Sequence, residues 1–218
     1  PYQRRGLAWL LDIARSGTGG ILADDMGLGK TVQIIALHLA LTALGDGGPT
    51  LVVCPTSVVG NWEREIRRFA PGVPVRRLAA SGDAPDPSPA NEILLVTYGG
   101  LRRRVDGLAE VAWRLVVADE AQHVKNPNSH TARALRRLPA RTRLALTGTP
   151  VENRLTELWF ESFDDWRTFT RELAPSLTAP SWASASRFPF VARGSDFVSS
   201  FLLERPADEF WRDSRGYQ

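Results

Sequence analysis

Hydrophobic and polar positions follow two rhythms along this chain. Over residues 1–15, Leu7, Leu10, Leu11 and Ala14 recur at helical spacing, with Arg4, Arg5, Asp12 and Arg15 on other faces. The glycine-rich stretch 16–20 breaks that helix, and Ile21-Leu22-Ala23 starts a short strand. From Thr31 to about Leu44 the pattern is apolar nearly all round, as in a buried helix. Thr50–Cys54 and Ile93–Thr97 are continuous apolar runs of the kind a parallel sheet buries on both faces, and Leu115–Ala118 is a third. Between them, Val58, Val59, Trp62, Ile66 and Phe69 mark a helix, with Glu63, Arg64, Glu65, Arg67 and Arg68 covering its outer side. A further strand is expected over Val73–Leu78, then a Pro-rich loop over 79–92. An Arg-rich helix follows Tyr98, another helix spans Thr131–Leu138, a strand covers Leu144–Leu146, and a helix covers Leu155–Phe160.

Strands alternating with helices predict an α/β fold with a mainly parallel sheet. In such folds ligands bind beyond the carboxyl edge of the strands. The polar turns following the strands all fall on that edge: Asp24–Thr31, Pro55-Thr56-Ser57, Thr97-Tyr98, Asp119-Glu120 and Thr147-Gly148-Thr149.

The first of these turns carries the strongest chemical signal. Asp24-Asp25-Met26-Gly27-Leu28-Gly29-Lys30-Thr31 joins a strand to a helix. Glycines let backbone N–H groups approach a polyphosphate, and the following helix presents its positive end to it. Lys30 would place an ammonium on the outer phosphates, and Thr31 a hydroxyl on the accompanying Mg²⁺. The usual pattern has Gly where this chain has Asp24. Asp119 and Glu120 supply what ATP hydrolysis needs beside such a loop. One carboxylate serves Mg²⁺ and the other orients the attacking water.

Composition adds little to this picture and excludes some classes. The chain has 218 residues, a formal net charge of +3 and a single cysteine, Cys54. One cysteine allows neither an intrachain disulfide nor a cysteine metal cluster, and Cys54 at a strand end is expected to be buried and inert. No apolar run reaches the about 18 residues that span a bilayer, so no membrane partner is expected. His38 reads as a core or boundary histidine, since no second His or Cys stands at a metal spacing. Of 27 basic residues only Lys30 and Lys125 are lysines, which marks Lys30 as a place where a compact ammonium is required. In such an Arg-biased chain, the clusters Arg67-Arg68, Arg102–Arg104 and Arg136-Arg137 read as solvated faces before they read as phosphate contacts. Pro1 opens the sequence and Met26 is its only methionine, so the chain is expected to be an excerpt of a longer polypeptide.

Taken together, the motifs resemble the first RecA-like lobe of a SWI2/SNF2-family ATPase, in helicase superfamily 2. The residues that carry the resemblance are Pro1-Tyr2-Gln3 with Gly6–Leu10, Asp24–Thr31, Cys54–Ser57 with Asn61-Trp62, and Val96-Thr97-Tyr98. It continues through Asp119-Glu120-Ala121-Gln122 with Lys125-Asn126, Leu146–Pro150 with Glu152-Asn153, and Leu158-Trp159. Asp24 in place of glycine is normal for that family, and Gln122 suggests its bacterial members.

The resemblance implies a P-loop RecA-like three-layer sandwich. Gln3 would contact the adenine edge, and Asp24, Asp25, Met26, Gly27, Leu28, Gly29, Lys30 and Thr31 would hold the nucleotide. Lys30, Asp119 and Glu120 would be catalytic, with Thr31 and Asp119 serving Mg²⁺. Gln122, Thr147, Gly148 and Thr149 would couple the nucleotide state to the DNA surface. Thr56, Ser57, Asn61, Trp62, Thr97 and Tyr98 would lie along the DNA-tracking side. Implied partners are ATP, Mg²⁺, duplex DNA and a second RecA-like lobe, in the bacterial cytoplasm at the nucleoid.

The lobe is expected to span residues 1–163, with the second lobe absent. Residues 164–218 form a tail that leaves the family pattern, with weak periodicity and several Pro and Ser residues over 175–200. They read either as a divergent helical insertion or as a segment out of the family's reading frame, and the abrupt change in composition favours the second. Two rivals remain: a P-loop ATPase of another class, and a truncated, non-catalytic DNA- or protein-binding module.

Overall fold

The computed structural model describes residues 2–17, 19–23, 27–78, 91–124, 128–148, 190–193 and 198–200. Asp24, Asp25, Met26, Lys125, Asn126, Thr149, the helix expected over 155–160 and most of the expected tail lie outside the described residues. The elements run α1 (Tyr2–Ser16), β1 (Gly19–Ala23), α2 (Lys30–Ala43), β2 (Thr50–Cys54), α3 (Thr56–Phe69), β3 (Val75–Arg77), β4 (Ile93–Thr97), α4 (Tyr98–Ala109), β5 (Trp113–Ala118), a 3₁₀ turn (Ala121–Val124), α5 (His130–Arg137), β6 (Ala140–Leu146), β7 (Phe190–Arg193) and β8 (Val198–Ser200).

The described strands form one sheet in the order β3-β4-β2-β5-β6-β1-β7-β8. Every neighbouring pair is parallel except β7 with β8. β5, β6 and β1 lie side by side in that order, so the turns that follow them open together at the carboxyl edge, where such sheets take ligands.

The continuous apolar strands explain the layers. Successive side chains of a strand face opposite ways, so β2 sends Leu51 and Val53 into one core and Val52 and Cys54 into the other. One face is covered by α1, α2 and α3 through Leu10, Ala14, Ile34, Leu37, Leu41, Val59, Trp62 and Ile66. The other is covered by α4 and α5 through Leu101, Leu108, Ala132 and Leu135. Full burial of each large aliphatic side chain contributes about 1.5–3 kcal/mol, so both faces hold the sheet firmly. The three layers match the expected sandwich.

Three details differ from the sequence reading. Helix α2 is not apolar-covered all round, because Leu39 is 38 % exposed. Strand β6 begins at Ala140, four residues before the apolar run. Its polar half is accommodated by side-chain bonds: Thr142 is buried against Arg114, and Arg143 donates to the carbonyl of Leu138, the C-cap residue of α5, at 2.7 Å. Burial pushes the Arg143 guanidinium below its ordinary pKa. The third is a buried arginine. Arg114, in β5, is 6 % exposed and bonds the Asp46 carboxylate, the carbonyls of Asp46 and Ala14, and the Thr142 hydroxyl. It pins α1, the α2–β2 loop, β5 and β6 together at the edge of the sheet opposite the carboxyl edge.

His38 is a core histidine. Its Nε2 lies 3.2 Å from the Asn91 carbonyl, which can only accept, and its Nδ1 lies 2.9 Å from the Thr50 hydroxyl. That arrangement suits the neutral ring. Burial lowers its pKa from 6.5, partly opposed by the Asn91 bond. The unfolded chain therefore binds the extra proton first as pH falls. The stability contributed by neutral His38 is full above pH ~6.5 and declines as pH drops through that value toward the lowered folded pKa. Urea unfolding at pH 7.5 and pH 5.5 should show this loss, and His38→Gln should flatten the difference. An equal pH response in both proteins would remove His38 as the cause.

Candidate functional site

The parallel strands bring the predicted residues to one edge because each strand's carboxyl end opens there. β1 leads into the phosphate loop. Gly27 and Gly29 have φ of 86° and 81°, a left-handed conformation that only glycine adopts readily. Gly29 is the N-cap of α2, so Lys30 opens that helix and the helix N-terminus faces the loop. Gln3 reaches over from α1: its Nε2 donates to the Leu28 carbonyl at 3.5 Å. A Cβ placed on Gly29 would stand 2.7 Å from that nitrogen. The loop is thus packed against Gln3 as well as fixed by its own glycines.

Asp119 follows β5 and is only 8 % exposed. Its amide donates to the Val53 carbonyl of β2 at 2.8 Å, which extends the ladder by one bond past the strand. Both carboxylate oxygens accept: Oδ1 from the Glu120 amide at 2.9 Å, Oδ2 from the Trp62 indole N–H at 2.7 Å. Burial pushes the Asp119 carboxyl up, and the Trp62 and Glu120 hydrogen bonds pull against it. The Glu120 carboxylate adds to the rise, while the charge of Lys30 opposes it. Lys30 and Asp119 therefore share one electrostatic environment.

Glu120 has φ of 50°. A non-glycine residue in that region is strained, and such strain clusters at functional sites. Gln122 lies two residues on. Its amide donates to the Glu120 carboxylate, and its carbonyl oxygen accepts from the Thr147 hydroxyl at 2.9 Å. Thr147 also donates its amide to Leu22 of β1 at 3.2 Å. Glu120, Gln122 and Thr147 thus form one chain of hydrogen bonds linking the ends of β5 and β6 to β1. Gly148 follows directly.

The residues expected along the DNA side divide. Thr56, Ser57 and Asn61 are exposed at the start and middle of α3. The Thr97 hydroxyl accepts from the Gly100 amide at 3.0 Å, capping α4. Tyr98 donates its hydroxyl to the Asp119 carbonyl at 2.7 Å, and burial first, then the nearby acidic groups, holds its pKa well above 10. Trp62 corrects the expectation. It is 1 % exposed, on the same helix face as Val59 and Ile66, and its one polar atom is turned toward Asp119. A buried side chain offers no surface to DNA. Sequence spacing marks it as core. What it could have added is that a buried indole N–H needs an acceptor.

Among the Arg clusters, Arg67 pairs with Glu63, Arg137 pairs with Asp106, and Arg68 lies over the ring of Phe69. Cys54 is buried, with its thiol pushed up to about 12 chiefly by burial.

The family model described as the SNF2-related domain matches residues 2–195. The chain belongs to this family. YwqA of Bacillus subtilis, whose name describes an ATP-dependent helicase/translocase, is 43 % identical over 165 residues, covering 73 % of this chain and 18 % of YwqA. Helicase SWR1 of Debaryomyces hansenii is 41 % identical over 167 residues, covering 73 % of this chain and 10 % of that protein. Among solved structures, the Sulfolobus solfataricus SWI2/SNF2 ATPase core in complex with double-stranded DNA superimposes with a TM-score of 0.71 at 34 % identity, covering 88 % of this chain and 43 % of that one.

This SNF2-family chain thus spans a fifth or less of the length of these two curated relatives. The family match runs to residue 195 and so includes part of the segment read as a divergent or out-of-frame tail, in which β7 pairs with β1.

Proposed function

We propose that this chain is the ATP-binding lobe of a DNA-dependent ATPase that moves along duplex DNA and remodels protein–DNA complexes. The supporting observation is the join between Lys30, Asp119, Glu120, Gln122 and Thr147. A phosphate loop, two carboxylates and a hydrogen-bonded link to the next strand share one crevice of a parallel sheet. ATP is the substrate. Gly27, Gly29 and the N-terminus of α2 bind its phosphates, Lys30 neutralises charge at the outer ones, and Gln3 reads the base.

The residues also fit Mg²⁺. Each Asp119 oxygen accepts one hydrogen bond from within the protein, which leaves carboxylate lone pairs for a hydrated cation, and Thr31 adds a hydroxyl. When bound, the metal offsets phosphate charge. Glu120 orients the attacking water and accepts its proton. Gln122, bonded to Glu120 and Thr147, passes the state of the water site to β6. Thr56, Ser57 and Asn61 give α3 a polar, exposed surface for a phosphate backbone.

Full turnover requires a second lobe, whose arginine would contribute about 10³–10⁵ in rate. The test is ATP hydrolysis by this chain and by its two-lobe parent, each with and without duplex DNA, with Lys30→Ala as control. This chain should bind nucleotide and turn over no faster than its Lys30→Ala variant. The parent should show a DNA-stimulated rate that the substitution removes. Hydrolysis by the parent without any response to DNA would indicate a P-loop ATPase of another class. No hydrolysis by the parent would indicate a non-catalytic module.

A further inference from the structure

We propose that Trp62 is a positioning residue for Asp119, fixing its carboxylate through the indole N–H and thereby tying helix α3 to the metal side of the nucleotide. The inference rests on the reading of Asp119 given above. The bond is 2.7 Å long, both groups are buried, and the residues lie 57 apart in sequence. With Oδ2 held by Trp62 and Oδ1 by the Glu120 amide, the plane of the carboxylate is fixed from two sides. Outer hydrogen-bond partners of this kind orient metal-side ligands.

Trp62 belongs to the helix whose first two turns leave Thr56, Ser57 and Asn61 exposed. A helix moves as a rigid unit, so a displacement of α3 at that exposed surface turns the Asp119 carboxylate with it. Tyr98, the first residue of α4, holds the same residue by its main-chain carbonyl at 2.7 Å. Two helices packed on opposite faces of the sheet therefore grip Asp119 at different atoms, α3 by the side chain and α4 by the backbone. A tryptophan serving only to fill the core would affect stability but not metal affinity.

The probe is Mn²⁺, titrated by electron paramagnetic resonance against the full chain in the presence of a non-hydrolysable ATP analogue. Trp62→Phe, checked for folding by thermal melting, should weaken Mn²⁺ binding about 10–100-fold while affinity for the metal-free analogue stays unchanged. Asp119→Asn is the reference. If Asp119→Asn binds Mn²⁺ like the wild type, the reading of Asp119 itself fails, and the Trp62 inference with it. If Asp119→Asn loses the metal while Trp62→Phe keeps wild-type affinity, Trp62 is a core residue and this inference alone is overturned.

Should Trp62→Phe not fold, the wild-type chain decides. The Trp62 indole N–H resonance should move when diamagnetic Mg²⁺ joins the bound analogue, and not with the analogue alone. A resonance that ignores the cation overturns the proposal.

Discussion

Glu120→Gly is expected to stop ATP turnover in the proposed two-lobe ATPase without destabilising the fold. Glu120 sits at φ 50°, where an L side chain costs roughly 1–2 kcal/mol. Glycine removes that penalty and loses about 0.5–1 kcal/mol more chain entropy on folding. The balance is a stability equal to the wild type or up to about 1.5 kcal/mol higher. The lost carboxylate takes away the partner of the Gln122 amide and, on the proposed function, the group that orients and deprotonates water. Turnover should fall by about 10²–10⁴. Glu120→Gln is the matched control, since it removes the base but keeps the strained backbone, and it should lose rate with no gain in stability. Steady-state ATP hydrolysis and thermal melting on the same preparations check both halves. A rate within tenfold of wild type for either variant would remove Glu120 from the water-orienting role. A marked loss of stability in Glu120→Gly would mean that the side chain holds the structure together.

The largest single loss of stability is expected at the far side of the sheet. Arg114→Met leaves the Ala14 carbonyl, the Thr142 hydroxyl and the Asp46 carboxylate without their shared donor. Removing one partner of a buried ion pair typically costs about 3–5 kcal/mol. Asp46 is 31 % exposed and also bonds Arg141, so water and Arg141 recover part of its charge. The Thr142 hydroxyl can still donate to Ala14, although at 3.4 Å. Both compensations point to the lower end, about 3 kcal/mol. Arg114→Lys should rescue little, because an ammonium has three N–H donors for four acceptor atoms and lacks the planar reach of the guanidinium fork. Urea unfolding should show the midpoint falling at constant slope. Arg137→Ala, which breaks an ion pair exposed on both sides, should leave the midpoint unmoved. A midpoint for Arg114→Met close to wild type would mean that the network adds geometry without stability.

These two residues also separate what could be read from the chain alone. Arg114 looks like any other member of an Arg-rich sequence. Its burial follows from pairing between β5 and β6 and from the return of α1, contacts far apart in sequence. Glu120 is legible as chemistry, through its place beside Asp119 after an apolar strand, but its left-handed backbone is not. That conformation comes from closing the turn between β5 and the 3₁₀ segment while Asp119 is held by Val53, Trp62 and Tyr98.

Where the signal is local, the sequence is sufficient. β2 and β4 run over the residues their apolar patterns mark, since a strand buried on both faces must be continuously apolar. The phosphate loop is equally plain, because glycines at fixed spacing before Lys30 and Thr31 are a backbone requirement written in residue types. The order of strands and helices, the parallel sheet and the crevice at its carboxyl edge follow from the same local patterns. Tertiary structure alone decided the pairings: β7 beside β1 from residues more than 160 positions away, Gln122 between Glu120 and Thr147, and Trp62 turned inward onto Asp119. Periodicity tells which face of an element is buried. Which polar group meets it there depends on sheet register and helix packing, which no single stretch of sequence contains.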